Sequence, residues 1–143
     1  MTVSRILAVK GRAVITVEPE ATLQAVADIL SSKGIGAAVV SRGAGDVLGI
    51  ISERDIVHAI AEKGAAALND IVQNHMTERV ITAQEKMTLE NLMSTMTSGR
   101  FRHVPVVEGG LLCGLVSIGD VVKQRLEEFE AEQRALKEYI ATA

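Results

Sequence analysis

The chain has 143 residues, of which 48% are hydrophobic and 2% aromatic, and it carries a net charge of −3. This length and apolar content suit one globular domain, or two small units that share a core. The acidic balance and the scarcity of aromatic rings argue against a nucleic-acid partner, and no apolar run reaches the length of a membrane span. A lone cysteine and the lack of a secretory h-region near the N-terminus predict a cytoplasmic protein.

The sequence repeats itself at a spacing of 65 to 66 residues. Residues 14–16 read Val-Ile-Thr and return at 80–82, while the pattern Gly-x-x-Ser-x-x-Asp-x-Val occurs at 49–57 and again at 114–122. The spacing changes by one residue in a glycine-rich turn, where a change of length is tolerated. A chance similarity would not keep its register on both sides of a turn, so the chain consists of two related units.

Each unit begins with a short β-rich run, at residues 14–17 and 80–82, and continues with an amphipathic helix. The limits of the helices are threonine N-caps and glycine stops: Thr22 and Gly34 in the first unit, Thr88 and Gly99 in the second. Two apolar strands joined by a glycine turn follow in each unit, and their nearly continuous apolar character predicts burial on both faces. These strands cover residues 37–41, 47–51, 103–107 and 111–116. A second helix starts near Ser52 or Ser117.

These elements predict an α/β fold of two β-α-β-β-α units. Neither unit can bury its apolar faces alone, so we expect the units to pack through their sheets about a pseudo-twofold axis. The first unit, with an N-terminal arm, is placed at residues 1–66, and the second, with the linker, at residues 67–128. A C-terminal helical extension covers residues 129–143.

The extension continues a heptad pattern that starts in the last helix of the second unit. The pattern positions are spaced 4, 3, 4, 3 and 4 residues apart: Val122, Leu126, Phe129, Gln133, Leu136 and Ile140. Three heptads are close to the shortest length that indicates a coiled coil. Two interpretations stay open, because the helix can fold back on its own domain or contribute to self-association.

The doubled Ser-x-x-Asp pattern is the strongest candidate for a binding site. Its two copies are Ser52 with Asp55 and Ser117 with Asp120. Each serine opens a helix, whose free N–H groups and positive dipole end suit a phosphate, and each aspartate can accept hydrogen bonds from both hydroxyls of a ribose. The alternative is a capping box, which needs no ligand. Capping alone does not require the threonine on the preceding strand of each unit, Thr16 or Thr82.

The second unit also has a local basic cluster at the entry to a predicted strand. Its members are Arg100, Phe101, Arg102, His103 and Pro105. Guanidinium groups in this position can neutralise phosphates, although a solvated strand entry would look the same. The first unit has Ile35, Gly36 and Ala37 there, so the two candidate sites are unequal. Either one site takes a more highly charged ligand or one site is empty.

Sequence patterns that indicate catalysis are missing. No HExxH, GxSxG or CxxC motif occurs, and three histidines with one cysteine leave little material for a zinc site. We therefore expect no catalytic residue, no metal and no catalytic cofactor.

Residues 5–128 resemble a tandem pair of CBS domains (the cystathionine β-synthase type), also called a Bateman module. The resemblance lies in residues 14–16, in both Gly-x-x-Ser-x-x-Asp patterns, in residues 72–82 with their His-Met-Thr, and in residues 102–106. The resemblance covers nearly the whole of the given sequence, so we expect a stand-alone member of this family.

The resemblance implies adenosine-containing ligands, such as AMP, ADP, ATP, NAD or S-adenosylmethionine, in clefts between the two halves. By position, the family's ribose-binding aspartates match Asp55 and Asp120, its phosphate-binding serines match Ser52 and Ser117, and its strand threonines match Thr16 and Thr82. Phosphate contacts are expected at Arg54, Arg102 and His103, and the other expected cleft positions are Ile35, Gly36, Ala37, Val80, Arg100, Phe101, Pro105 and Gly119. Gly119 stands where the first half has Arg54.

These expectations favour a cytoplasmic, non-enzymatic adenine-nucleotide sensor. Nucleotide binding would shift its arrangement, and an unknown protein partner would read that shift. The resemblance also implies a homodimer, and neither nucleic acid nor a membrane is an expected partner. Two alternatives stay open: a structural dimerisation module with vestigial pockets, and a small enzyme acting on NAD or a nucleotide.

Overall fold

The computed structural model describes residues 1–142, and the elements of its first half alternate as the repeat predicts. They are α1 (Val3–Lys10), β1 (Thr16–Val17), α2 (Leu23–Lys33), β2 (Ala37–Val40), β3 (Gly49–Ser52) and α3 (Glu53–Lys63). Two short 3-10 turns, Gly64–Asn69 and Val72–Asn74, connect the halves. The second half contains α4 (Leu89–Gly99), β4 (His103–Glu108), β5 (Leu111–Ser117) and the long α5 (Ile118–Thr142). Within residues 1–142, every helix is too short or too polar to cross a membrane.

The two units form one small sheet each. In the first sheet β1 lies parallel to β2, and β2 pairs antiparallel with β3 so that Ala37 faces Ser52. The second sheet is the antiparallel pair β4 and β5. The strand predicted at residues 80–82 is wrong, because only the next residue, Ala83, reaches β4 and forms an isolated bridge to Val106.

The helix caps follow the sequence closely. The hydroxyl of Thr22 accepts a hydrogen bond from the Ala25 amide at 3.1 Å, and that of Thr88 accepts one from the Asn91 amide at 3.2 Å, which confirms both predicted N-caps. Gly34 ends α2 in the left-handed conformation, as predicted.

The end of α4 differs from the prediction. Gly99 is the last helical residue, and the left-handed cap position belongs to Arg100, with φ 57°. Position 99 requires glycine because of packing and not because of its backbone angles: a Cβ there would lie 1.9 Å from the ring of Phe101. The absence of that side chain lets the Phe101 ring pack against the helix end.

The segments that lead into each unit are exchanged between the units. Val3, Ile6 and Leu7 of α1, which the sequence indicated only as an arm, lie in the core of the second unit. In return, Ala67 and Val72 of the connecting turns lie in the core of the first unit. Each core is therefore completed by a chain segment that precedes the opposite unit.

Two glycines of the repeat let these segments pass close to the strands. A Cβ on Gly114 would lie 2.6 Å from a methyl of Leu7, and a Cβ on Gly49 would lie 2.6 Å from the sulfur of Met76. On Gly49 it would also lie 2.8 Å from the carbonyl oxygen of Thr77. Both positions thus require glycine because another backbone or side chain approaches closely.

The face of the first sheet that points away from its own core is also buried. Ala38 and Val40 of β2 belong to the core of the first unit, while Ala37 and Val39 on the opposite face are buried outside that core. Pro105 of β4 is buried in the same way. Burial on both faces is therefore confirmed for β2, whereas β5 is fully buried only at alternate positions.

Candidate functional site

Two clefts open where the units meet. The first has a volume of about 520 Å³ and the second about 490 Å³, and both fall in the range of small-molecule sites. Four residues line both clefts: Gly36, Glu53, Arg102 and His103. Each cleft also contains the Ser-x-x-Asp pattern of one unit, so the two sites reflect the repeat.

The N-terminus of α3 forms one wall of the first cleft. The carboxylate oxygen Oδ2 of Asp55 accepts hydrogen bonds from the amide of Ser52 at 2.9 Å and from its hydroxyl at 3.0 Å. The Ser52 hydroxyl oxygen in turn accepts a hydrogen bond from the Asp55 amide, which completes a capping box. Among residues 1–142, no group donates to Oδ1 of Asp55, so that oxygen is available to a ligand.

The rest of the first cleft is strongly basic with an apolar floor. It contains four arginines, one from α3, one from the linker and two from the segment between α4 and β4: Arg54, Arg79, Arg100 and Arg102. None of the four forms a salt bridge with a carboxylate of residues 1–142. The apolar lining residues are Ile50, Val57, Val80, Ile81 and Phe101. The cleft thus combines an anion-binding side with a surface that suits a flat, weakly polar ring.

The second cleft differs from the first because its aspartate, Asp120, forms an ion pair with Lys10. Lys10 Nζ lies 2.6 Å from Oδ2 of Asp120 and donates to the carbonyl oxygen of Leu115 at 2.6 Å. Burial raises the pKa of the Asp120 carboxyl, but hydrogen bonds from Lys10 and the Ser117 amide outweigh it, so the pKa lies below its usual value. By the spacing of the repeat, Met76 is the counterpart of Lys10 in the sequence, but it lies against Gly49 and does not line the first cleft.

His103 stands between the two clefts. Burial lowers the pKa of His103, and the positive charge of Lys10 acts in the same direction. The carboxylates of Glu53 and Asp120 oppose this shift without cancelling it. The imidazole is therefore neutral at neutral pH, with one ring nitrogen as a donor and the other as an acceptor.

Most of the residues predicted from the sequence line one of the clefts. The first cleft contains Gly36, Ser52, Arg54, Asp55, Val80, Arg100, Phe101, Arg102 and His103. The second contains Ile35, Gly36, Ala37, Arg102, His103, Ser117, Gly119 and Asp120. The remaining three line neither cleft, since Thr16 and Thr82 are exposed and Pro105 is buried within β4.

Sequence reasoning missed Arg79, Thr77 and Lys10. Arg79 comes directly before the repeated run at 80–82, so its position next to a matched segment was an available signal. Lys10 carries no such signal, because it lies 110 residues from Asp120 and reaches it only through the exchanged α1. Within residues 1–142, no group of three His, Cys, Asp or Glu side chains is placed to hold a metal ion.

Comparison with known proteins gives a consistent result. The family model of the CBS domain matches this chain twice, at residues 7–62 and 68–127. The chain is similar to the crystal structure of the CBS-domain containing protein ATU1752 from Agrobacterium tumefaciens, with a TM-score of 0.85 and 49% identity over 87% of this chain and 99% of that one.

Two further relatives extend the comparison. The CBS domain protein PAE2072 from Pyrobaculum aerophilum, complexed with AMP, matches with a TM-score of 0.75 and 28% identity over 84% of this chain and 89% of that one. The mitochondrial CBS domain-containing protein CBSX3 of Arabidopsis thaliana is 36% identical over 115 residues, which are 78% of this chain and 56% of that protein. This chain spans about half the length of the curated relatives it matches.

Proposed function

This chain belongs to the CBS domain family and carries two of its units, and we propose that it is a regulatory module that binds an adenine nucleotide. The observation that carries the proposal is the first cleft. There, four arginines without carboxylate partners in residues 1–142 line the same cleft as Asp55, whose Oδ1 is open. The AMP in the similar protein PAE2072 supports the choice of ligand class.

Each part of a nucleotide has a complementary surface in this cleft. The Asp55 carboxylate suits the two ribose hydroxyls, because it can accept from both. The arginines and the N-terminal amides of α3 suit the phosphate. The apolar floor, which includes Ile50 and Phe101, suits the base. AMP, ADP, ATP and NAD(H) all share these parts, so the proposal covers this class.

We assign the nucleotide to the first cleft rather than the second on grounds of charge. The first cleft has four arginines against the carboxylates of Glu53 and Asp55, and His103 is neutral. The second has one arginine and Lys10 against two carboxylates, and Lys10 already occupies the carboxylate of Asp120. A phosphorylated ligand is therefore attracted to the first cleft more strongly.

Binding in this cleft would couple the two units. Asp55 and Arg54 come from the first unit, whereas Arg100 and Phe101 come from the second, so a ligand that contacts all of them favours one relative arrangement. A protein partner in the cytoplasm would read that arrangement. No reaction of the nucleotide is part of the proposal, and the protein acts as a homodimer.

The test is a thermal-shift panel with AMP, ADP, ATP, NAD, NADH and S-adenosylmethionine on the wild type, Asp55→Asn and Asp120→Asn. Asparagine keeps an acceptor oxygen for the helix cap but has no negative charge for the ribose hydroxyls. Because either substitution can itself change the stability, the midpoint of each variant with ligand is compared with its midpoint without ligand. A ligand at one hundred times its Kd adds about 2.7 kcal/mol to the free energy of unfolding. We expect this shift to be lost in Asp55→Asn and kept in Asp120→Asn.

Two outcomes would contradict the proposal. A shift that disappears only in Asp120→Asn would move the nucleotide to the second cleft. No shift with any ligand would favour the second candidate function, a structural dimerisation module with vestigial clefts. The observation that favours this second candidate is the exposed apolar face of α5, on which Leu126 is 56% and Ile140 66% exposed.

A further inference from the structure

The long helix α5 leaves one of its faces uncovered. We call this face the seam, and its members are Val122, Leu126, Phe129, Gln133, Leu136 and Ile140. Its five apolar side chains are all more than half exposed, from 51% at Val122 to 66% at Ile140. The side chains of α5 that are buried against its own domain, Val121 and Gln124, lie roughly a third of a turn away around the helix. The seam therefore does not fold back on its own domain.

We propose that the seam joins two copies of this chain as a parallel, two-stranded coiled coil. The 4-3-4-3-4 spacing presents one apolar stripe along the helix, which is the pattern that two helices bury by supercoiling. Because the seam lies to the side of the buried face, two globular bodies can stand on opposite sides of the paired helices. This proposal concerns α5 and does not depend on the nucleotide.

The charges beside the seam favour the parallel orientation. In a parallel pair, the residue just before every second seam position, here Leu126 and Gln133, faces the residue five places further along the second helix. This rule brings Arg125 opposite Glu130 and Glu132 opposite Lys137. Twofold symmetry repeats both contacts, so four attractive pairs flank the seam. In the single chain Arg125 is 47% exposed and contacts Glu128 of its own helix, so it is within reach of a second helix.

The antiparallel orientation places like charges together. In the antiparallel register that keeps the whole seam in contact, Glu130 would face Glu130, Glu132 would face Glu132, and Lys123 would face Lys137. Gln133 adds a second constraint, because a polar residue at an inner position is satisfied best by its own copy in a parallel, in-register pair.

A membrane surface fits this helix less well than a second copy. Amphipathic helices that lie on membranes carry an excess of Lys and Arg on the polar face. Acidic side chains outnumber basic ones along Ile118–Thr142, so anionic lipid would repel this helix. The alternating signs beside the seam instead match a copy of the same helix.

The first experiment is sedimentation equilibrium on the full chain and two variants. Leu136→Glu places a charge in the seam beyond the globular body, whereas Ala131→Glu places the same charge on the opposite, exposed face of α5 as the matched control. We expect a dimer for the wild type and for Ala131→Glu, and a weakening of the dimer by at least tenfold for Leu136→Glu. A monomeric wild type would overturn the proposal. So would a dimer that survives Leu136→Glu and is lost in Ile60→Glu on α3, since α3 would then be the interface.

The second experiment fixes the orientation. In a parallel dimer, Glu132→Lys or Lys137→Glu alone creates a repulsive contact, and the double variant restores attraction. In an antiparallel dimer position 132 faces itself, so the double variant stays repulsive there. We expect each single variant to weaken the dimer several-fold and the double variant to recover wild-type affinity. A double variant that does not recover the wild-type dimer affinity would exclude the parallel arrangement.

Discussion

Arg100 has a backbone conformation that glycine adopts more easily. Its φ of 57° matches the φ of 64° at Gly34, which ends α2 at the corresponding place in the first unit. A side chain costs about 1 kcal/mol in the left-handed region. The second unit keeps an arginine there, and that arginine lines the first cleft. We interpret the strained backbone at Arg100 as a loss of folding stability that is offset by a contact between its side chain and the ligand.

This interpretation gives opposite predictions for folding and binding. Arg100→Gly should leave the free energy of unfolding unchanged or raise it by up to about 1 kcal/mol, because the backbone strain is relieved. The same change should weaken nucleotide binding about tenfold, because one charged hydrogen-bond donor is removed. Urea unfolding and calorimetric titration measure the two effects. Arg100→Ala is the control, since it removes the charge but keeps a Cβ in the left-handed region. A clear loss of stability in Arg100→Gly would contradict the argument.

Lys10 carries one of the two positive charges that line the second cleft. It pairs with Asp120, and both side chains remain partly exposed, at 34% and 24%. Replacement by methionine, the residue at the corresponding place in the first unit, should therefore change stability by less than about 1 kcal/mol. It should also free the Asp120 carboxylate, but it leaves one arginine against two carboxylates in the second cleft. The binding stoichiometry should therefore stay at one nucleotide per chain, because the cleft becomes less attractive to a phosphate.

Calorimetric titration of wild type, Lys10→Met and the exposed-site control Lys86→Met measures this stoichiometry. The control should bind one nucleotide like the wild type. A stoichiometry of two in Lys10→Met would show that the ion pair of Lys10, and not the charge of the cleft, keeps the second cleft empty. If the wild type bound two nucleotides per chain, the ion pair of Lys10 with Asp120 would have to break at little cost in free energy.

At the scale of elements, local chemistry explains which parts of the fold the sequence predicts. The threonine caps and the Ser-x-x-Asp helix starts depend on contacts within three residues, so a single sequence contains them. The helix α1 was missed because its partners, among them Leu89 and Leu92, lie in the opposite unit. For the same reason the pairing of Lys10 with Asp120 could not be predicted, although the aspartate itself was.

The packing of α1 on β5 depends on the missing side chain of Gly114. A Cβ there would lie 2.6 Å from Leu7, which is closer than carbon atoms approach without displacement. Gly114→Ala should therefore lower the free energy of unfolding by about 1–3 kcal/mol, as overpacked cores do. Gly119→Ala is a suitable control, since its Cβ would meet only the Ser117 hydroxyl at 3.6 Å, and alanine favours the helix.

Urea unfolding of these variants, with Leu7→Ala and the Leu7→Ala/Gly114→Ala double variant, tests the cause. If the contact with Leu7 is the cause, the added alanine costs less when Leu7 has been shortened, so the two changes are not additive. Strict additivity would place the strain elsewhere in β5.

At the scale of the whole molecule, the repeat produces a symmetric backbone with asymmetric chemistry. Both clefts have a capped helix start and an aspartate at the same position. The difference comes from side chains that the repeat does not match, namely Arg79 and Arg100 at the first cleft and Lys10 at the second. Under the proposed function, the duplicated fold would hold a charged ligand in the first cleft, while in the second cleft Lys10 pairs with the matching aspartate.

The exchange of lead-in segments should make the two units unfold as one. Each core contains residues that precede the opposite unit, such as Leu7 in one and Val72 in the other, so loss of either core releases part of its neighbour.

A cavity made by Leu92→Ala in the second unit costs about 2–5 kcal/mol. Native-state hydrogen exchange should then show the same loss of protection at Val40 in the first unit as at Val104 in the second, because an opening that releases one core also releases part of the other. Leu111→Ala, at an exposed turn, should leave both unchanged. If Val40 kept its protection in Leu92→Ala, the units would be independent, and a nucleotide between them would act by bringing together two separately folded parts.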